Sequence, residues 1–155
     1  MAENRASLIF QESFQTFKVF ETLPFEIYGI QIKGHSKTIW QILNHLVFWQ
    51  EYQLTTFEGK NDQAFDESIS WKSTNSPANV EELNQKIQAF LSQIKQIELK
   101  ASSFLLNDLN DTLMLKTMIE LSSHLSFHLG EIILLARLEN VYPQPEDMSG
   151  FLEDS

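Results

Sequence analysis

The stretch His124-Leu-Ser-Phe-His128-Leu-Gly-Glu131 lies inside an apolar-periodic run from about Thr112 to Glu139. Side chains four apart on a helix stand one turn above each other, so His124 and His128 present two imidazoles to one point. Glu131 extends that face, as do Thr117, Leu121 and Leu135. Two imidazoles so spaced can chelate a divalent ion, as in the helical His-Glu-x-x-His site. Here Leu125 follows His124, so the general base of that zinc-protease pattern is absent and a third ligand must come from elsewhere. The best candidate is His45, in the apolar-periodic segment from Thr38 to Trp49. The alternative reading of each is a core histidine with its polar atoms satisfied, the commoner situation for a single His on an apolar face.

Three His with open coordination positions make a catalytic rather than a structural metal site. A metal held there could lower the pKa of bound water or polarise a carbonyl. It could equally hold the thiolate of a small thiol cofactor. Glu131 is then a fourth ligand or, the reading preferred here, a catalytic carboxylate behind the ligands that orients an imidazole or a water. Trp49, one turn from His45, is expected to wall the pocket and face the bound cofactor. His35 reads as an exposed loop residue outside the triad. Imidazole must be neutral to ligate, so metal affinity is expected to fall as the pH drops through about 6 to 7.

Four helices must position these groups. The first runs from about Ala6 to Thr22, with Ile9, Phe10, Phe14, Phe17 and Phe20 at helical steps and Pro24 to end it. Leu23 to His35 is a connection in which Ile30-Gln-Ile32 could form an isolated strand. Ser36 is the expected N-cap of a second helix, Lys37 to Phe57, whose stripe is Ile39, Ile42, Leu43, Leu46 and Trp49. Glu58 to Ser76 is a long polar connection, either a lid over the site or a plain crossover, pinned by Phe65 and Trp71. Asn79 and Glu82 resemble a capping box for a third helix, with Leu83, Ile87, Phe90, Ile94 and Ile97 at alternating steps of four and three. Its buried stripe offers no ligand. Lys100 to Asn110 links it to the fourth helix, which Asn110 or Asp111 can cap. That helix is apolar nearly all round from Ile132 to Leu138, which calls for burial in the bundle or at a dimer interface. Pro143 and Pro145 end regular structure.

Composition narrows the chemistry. The 155 residues suit one domain, taken as 1–155, with an all-α four-helix bundle and long connections as its fold. There is no cysteine, so disulfides, Cys-ligated zinc, iron–sulfur clusters and a Cys nucleophile are excluded. A cytoplasmic location is expected, since no leader pattern and no apolar run of roughly 18 residues is visible. The net charge of −10 repels phosphate backbones, so no nucleic-acid partner is expected, nor a membrane. A di-iron carboxylate centre does not fit: Glu120 precedes His124 by four rather than three, and the first and third helices lack matching carboxylates. No Gly-x-Ser-x-Gly elbow or phosphate-binding glycine loop occurs.

Over nearly its whole length the chain resembles the DinB-like, or YfiT-like, family of metal-dependent enzymes. The resemblance rests on Thr38-Ile-Trp-Gln-Ile-Leu-Asn-His45-Leu-Val-Phe-Trp49-Gln-Glu, on His124-Leu-Ser-Phe-His128-Leu-Gly-Glu131-Ile, and on the late Tyr142-Pro143. It implies a four-helix bundle, often a homodimer, with nickel or zinc bound by His45, His124 and His128. Glu131 stands where Gln is expected in many relatives, which bears on metal preference or water activation. For some branches the resemblance implies thiol-dependent transfer or isomerisation, and for others hydrolase-like activity.

The expectation is therefore a metal-dependent enzyme of the thiol S-transferase or hydrolase type, acting on a small-molecule substrate as a homodimer. A non-enzymatic stress-response bundle that binds a metal or small molecule is the alternative, and a purely structural bundle with three core histidines is the third.

Overall fold

Apolar residues at helical spacing decide the architecture, and every described element is helical. The structure, a computed structural model, describes residues 18–60, 64–103 and 112–148. In chain order the α-helices are α1 (Val19–Thr22), α2 (Ile39–Phe57), α3 (Glu67–Ser70), α4 (Val80–Ser103) and α5 (Thr112–Leu138). Short 3-10 turns at Phe25–Gly29 and Pro145–Asp147 accompany them. Among the described residues the all-α bundle thus stands on three long helices and the short α1. Of the helix expected from about Ala6 to Thr22, the positions Ile9, Phe10, Phe14 and Phe17 lie outside the described residues, as do Asn110 and Asp111. No strand occurs among the described residues, and Ile30 and Ile32 lie in an irregular segment. An isolated strand would have had no partner for its backbone groups.

Helix α2 is the axis of the fold and packs against α4, α5, α3 and the Phe25–Gly29 turn. Its buried residues include Ile39, Trp40, Ile42, Leu43 and Leu46, as the periodicity requires. From α4 come Leu83, Ile87, Phe90, Ile94 and Ile97, and from α5 Leu121, Leu125, Ile132 and Leu135. The Phe20 ring from α1 meets Phe90 edge to face at 4.9 Å. Burying one such side chain contributes about 1.5–3 kcal/mol.

The helix starts depend on local polar chemistry. Thr38, not Ser36, caps α2: its hydroxyl accepts from the Gln41 N–H at 3.2 Å, and its own N–H donates to Gln41 Oε1 at 3.1 Å. Ser36 could not have closed such a pair, because the residue three beyond it is Ile39. Thr38 Oγ1 also donates to the Asn75 carbonyl at 2.6 Å, Gln41 Nε2 to Asn75 Oδ1 at 3.1 Å, and Trp40 Nε1 to Thr74 Oγ1 at 3.1 Å. The end of the Glu58–Ser76 connection is thereby tied to the start of α2. Gly29 lies so close to it that a Cβ there would stand 2.5 Å from Ser76 Cβ. Asn79 caps α4 through the Glu82 N–H, while the Glu82 carboxylate accepts from Ala78 N–H rather than from Asn79. The α4 helix also continues through Lys100–Ser103, where a link was expected. On α5, Leu134 and Leu138 are exposed, so the bundle covers only one side of its apolar end.

Candidate metal centre

The i, i+4 spacing on α5 brings His124 and His128 to the face that meets α2, and His45 faces them from there. One ring nitrogen from each of the three lies within 4.8 Å of the others. His45 and His128 are buried, at 2% and 6% exposure, and His124 is half-buried. His45 Nε2 stands 3.0 Å from His124 Nε2. Nitrogens bound to a common ion at about 2.0–2.1 Å are separated by about 2.9–3.4 Å, so the spacing suits shared ligation.

Hydrogen bonds on the far sides of the rings fix which nitrogen is free. Ser70 Oγ donates to the Glu67 carbonyl at 2.6 Å, so it accepts from His45 Nδ1–H at 2.7 Å. His128 Nδ1–H donates to Glu131 Oε2 at 2.7 Å. Both rings are thus left with a lone pair on Nε2. His124 Nδ1 is buried and has no partner. The cluster faces nitrogen lone pairs toward one another with too few protons to satisfy them, an arrangement that a divalent cation shared by the three imidazoles would relieve. The donor set is all nitrogen, which suits zinc or nickel better than magnesium or calcium.

Two indoles sheathe the imidazoles. Trp71 lies flat on His45 at 3.9 Å with the planes 5° apart. Trp49 stacks on His124 at 4.3 Å and 21°. This burial, helped by the neighbouring His128, pushes the His45 pKa down to about 4. Burial with His128 and His45 nearby pushes His124 down to about 3. The expected pH window of about 6 to 7 is therefore moved down for these two residues, because the sequence pattern does not reveal how dry their surroundings are.

Glu131 reaches the cluster from the next turn of α5. Its other oxygen, Oε1, accepts from His35 Nε2–H at 2.6 Å. Burial works to raise the Glu131 pKa, but the hydrogen bonds from His128 and His35 outweigh it and hold the carboxyl below the usual range. His35 stands outside the three-histidine group as expected, but the expectation that it is exposed is corrected here: it is half-buried. The turn at Gly34, with φ +89°, and the His35 N–H bond to the Ile32 carbonyl fold the ring back toward α5. His35 then joins a cavity of about 550 Å³ with the three clustered histidines, Glu131, Trp49, Phe65 and Trp71.

The long connection contributes more than pinning. Phe65, Glu67 and Trp71 line the cavity, and Ser70 at the end of α3 orients His45. Ser70 and the stacking role of Trp71 were missed in the sequence. The one available hint was a Trp with a nearby Ser in a polar segment that had to pass an apolar cleft.

The chain matches the model of the DinB family over residues 6–153. It belongs to the DinB family. No curated protein and no solved structure matches it significantly. Within this DinB chain the histidine group sits where the two long helices carrying it meet, in the core of a helical bundle, the usual place for a metal site in such folds. No helix among the described residues is long and apolar enough to cross a membrane.

Proposed function

We propose that this DinB chain is a metal-dependent enzyme in which His45, His124 and His128 hold one divalent ion, nickel or zinc, and that it is of the thiol-dependent S-transferase or hydrolase type. The observation that carries the reading is the convergence of three imidazole nitrogens within 4.8 Å beside a 550 Å³ cavity. That volume is the size of a small-molecule site. A bound ion of this kind supplies a Lewis acid that lowers the pKa of a coordinated water or thiol. The chain has no cysteine, so any thiol would be a second small molecule. Trp49, Phe65, Trp71 and Phe127 line the cavity with aromatic rings, and Lys37, 5.3 Å over the Trp71 ring, places a cation at its edge. Glu131 fixes the His128 ring through Nδ1 and is available to orient a proton on a nucleophile.

Metal analysis of protein purified without an affinity tag tests the site, with about one equivalent of a divalent metal expected. Conjugation of small electrophiles with low-molecular-weight thiols, and hydrolysis of activated esters and amides, tests the activity. Protein free of metal that takes up none on dialysis would overturn the reading. Stoichiometric metal without turnover in either screen would make the chain a metal-binding protein rather than an enzyme.

The exposed Phe127, Leu134 and Leu138 on α5 support a homodimer, because extended apolar patches on soluble proteins usually mark contacts.

A further inference from the structure

On the three-histidine reading of the proposed function, we infer that the small molecule taken into the cavity carries a carboxylate, and that Lys37, helped by Ser36, holds it and selects for it.

One wall of the cavity is the turn His35-Ser36-Lys37. The His35 ring is already engaged at both nitrogens, with Glu131 at Nε2 and the Lys37 main-chain oxygen 2.7 Å from Nδ1. The next two side chains are not engaged. Lys37 is half-buried, yet it pairs with no carboxylate among the described residues. Neither its ammonium nor the Ser36 hydroxyl has a hydrogen-bond partner among them. The ammonium stands over the Trp71 ring, 5.3 Å from its centroid, within the range of cation–π attraction. Trp71 in turn lies flat on His45 at 3.9 Å. A single indole therefore spaces the cation from a metal ligand. The Lys37 main chain is fixed as well, because Thr38 beside it caps α2.

Charge decides what such a pair would take. The net charge of −10 repels anions over most of the surface, so an anionic ligand needs a local cation. Lys37 is the one lysine or arginine among the described residues that line the cavity. It shares the wall with two carboxylates, Glu67 and Glu131. Both Glu131 oxygens already accept from imidazole N–H groups. One cation against two carboxylates suits a monoanion rather than a phosphate dianion. A ligand carboxylate has one oxygen for the ammonium and one for the hydroxyl. Its apolar body would lie along Trp49, Phe65 and Phe127.

The carboxylate could belong to a thiol or to the second substrate, and two titrations of the full-length protein separate these sources. The first uses cobalt(II)-loaded protein with mercaptobutanoate and mercaptohexanoate, each against its neutral amide, read on the sulfur-to-cobalt charge-transfer band. The second uses metal-free protein with phenylpropionate against phenylpropanamide, read on the Trp71 indole N–H resonance. In at least one of them the acid should bind about tenfold more tightly than the amide. That preference should vanish in Lys37→Met, which keeps the stem and loses the charge, and persist in Lys37→Arg. Affinity for the amides should be equal in all three proteins. A preference in the first titration puts the carboxylate on the thiol, and one in the second alone puts it on the other substrate. A wild type with no preference in either would overturn the inference and leave the metal site standing. So would a Lys37→Met variant that keeps the preference, or one that loses acid and amide binding alike. A wild type that takes up no cobalt would sink the reading beneath, and the second titration would still decide whether Lys37 selects carboxylates.

Discussion

The two halves of the histidine cluster are held by opposite means. His45 and His124 lie flat on indole rings, and burial keeps both imidazoles neutral. His128 is instead gripped by a carboxylate, which shares itself with a second imidazole from a loop. The first half is dry and resists protonation. The second is polar and fixes a ring orientation. Such a cluster keeps two imidazoles neutral by desolvation and orients the third by a hydrogen bond, so the halves should respond differently to the same perturbation.

The largest expected effect breaks the cluster as a whole. Alanine at His45, His124 or His128 should reduce bound metal from about one equivalent to almost none, a loss above the roughly 10–100-fold typical of outer partners. Alanine at His35 should leave the metal in place. Inductively coupled plasma measurements on the four variants check this, and equal metal content in all four would sink the ligand set.

Next comes the polar half alone. Glu131→Gln removes the charge behind His128 and should weaken metal binding by about 10–100-fold, read by competition with a chromophoric chelator. An unchanged affinity would mean that the carboxylate contributes nothing to the His128 ligand.

The dry half is sharpened by pH. In metal-free protein the His45 and His124 pKa values lie near 4 and 3 when folded, against about 6.5 unfolded. The unfolded chain therefore binds more protons between these limits. Stability should be level with respect to these groups above about pH 6.5 and fall as the pH drops from there toward 4 and 3. Trp71→Ala should open His45 to water and raise its pKa toward the ordinary value, while Glu131→Gln should not produce that rise. Imidazole proton shifts in the two variants decide between them. If the Trp71 variant leaves His45 where it was, desolvation by the indole is not what keeps it neutral.

The smallest effect concerns the uncovered apolar side chains toward the end of α5. Leu134 and Leu138 are exposed there, while the exposed Phe127 lies at the rim of the cavity. Leu134→Ser with Leu138→Ser should leave metal content alone and change monomer stability by no more than about 0.5 kcal/mol per residue. In light scattering at micromolar concentration it should convert a dimer to a monomer. A wild type that is already monomeric would remove the dimer from the account.

Much of the architecture was legible because it follows from one-dimensional spacing. The α4 stripe is buried residue for residue, and His45, His124 and His128 meet because periodicity placed each on an inward face. What could not be read was contact between loops and helices. His35 and Glu131 are 96 positions apart, and only the turn at Gly34 makes them neighbours. Trp71 comes to lie on His45 through a four-residue helix too short to leave a periodic signal. The shift of the α2 cap from Ser36 to Thr38 was in principle readable, since Gln41 is the third residue after Thr38.

The close approach of Gly29 to Ser76 has a consequence for how this chain can drift. Nothing at residue 29 touches an imidazole, yet any side chain there would crowd Ser76, at a cost of about 1–3 kcal/mol if the neighbours must shift. Ser76 follows Asn75, which is bonded to both Thr38 and Gln41 at the head of the helix that carries His45. A map of permitted replacements across the sequence should therefore show an intolerant position at 29. Such a map would rank this glycine beside the histidines, although its whole contribution is the space it leaves empty.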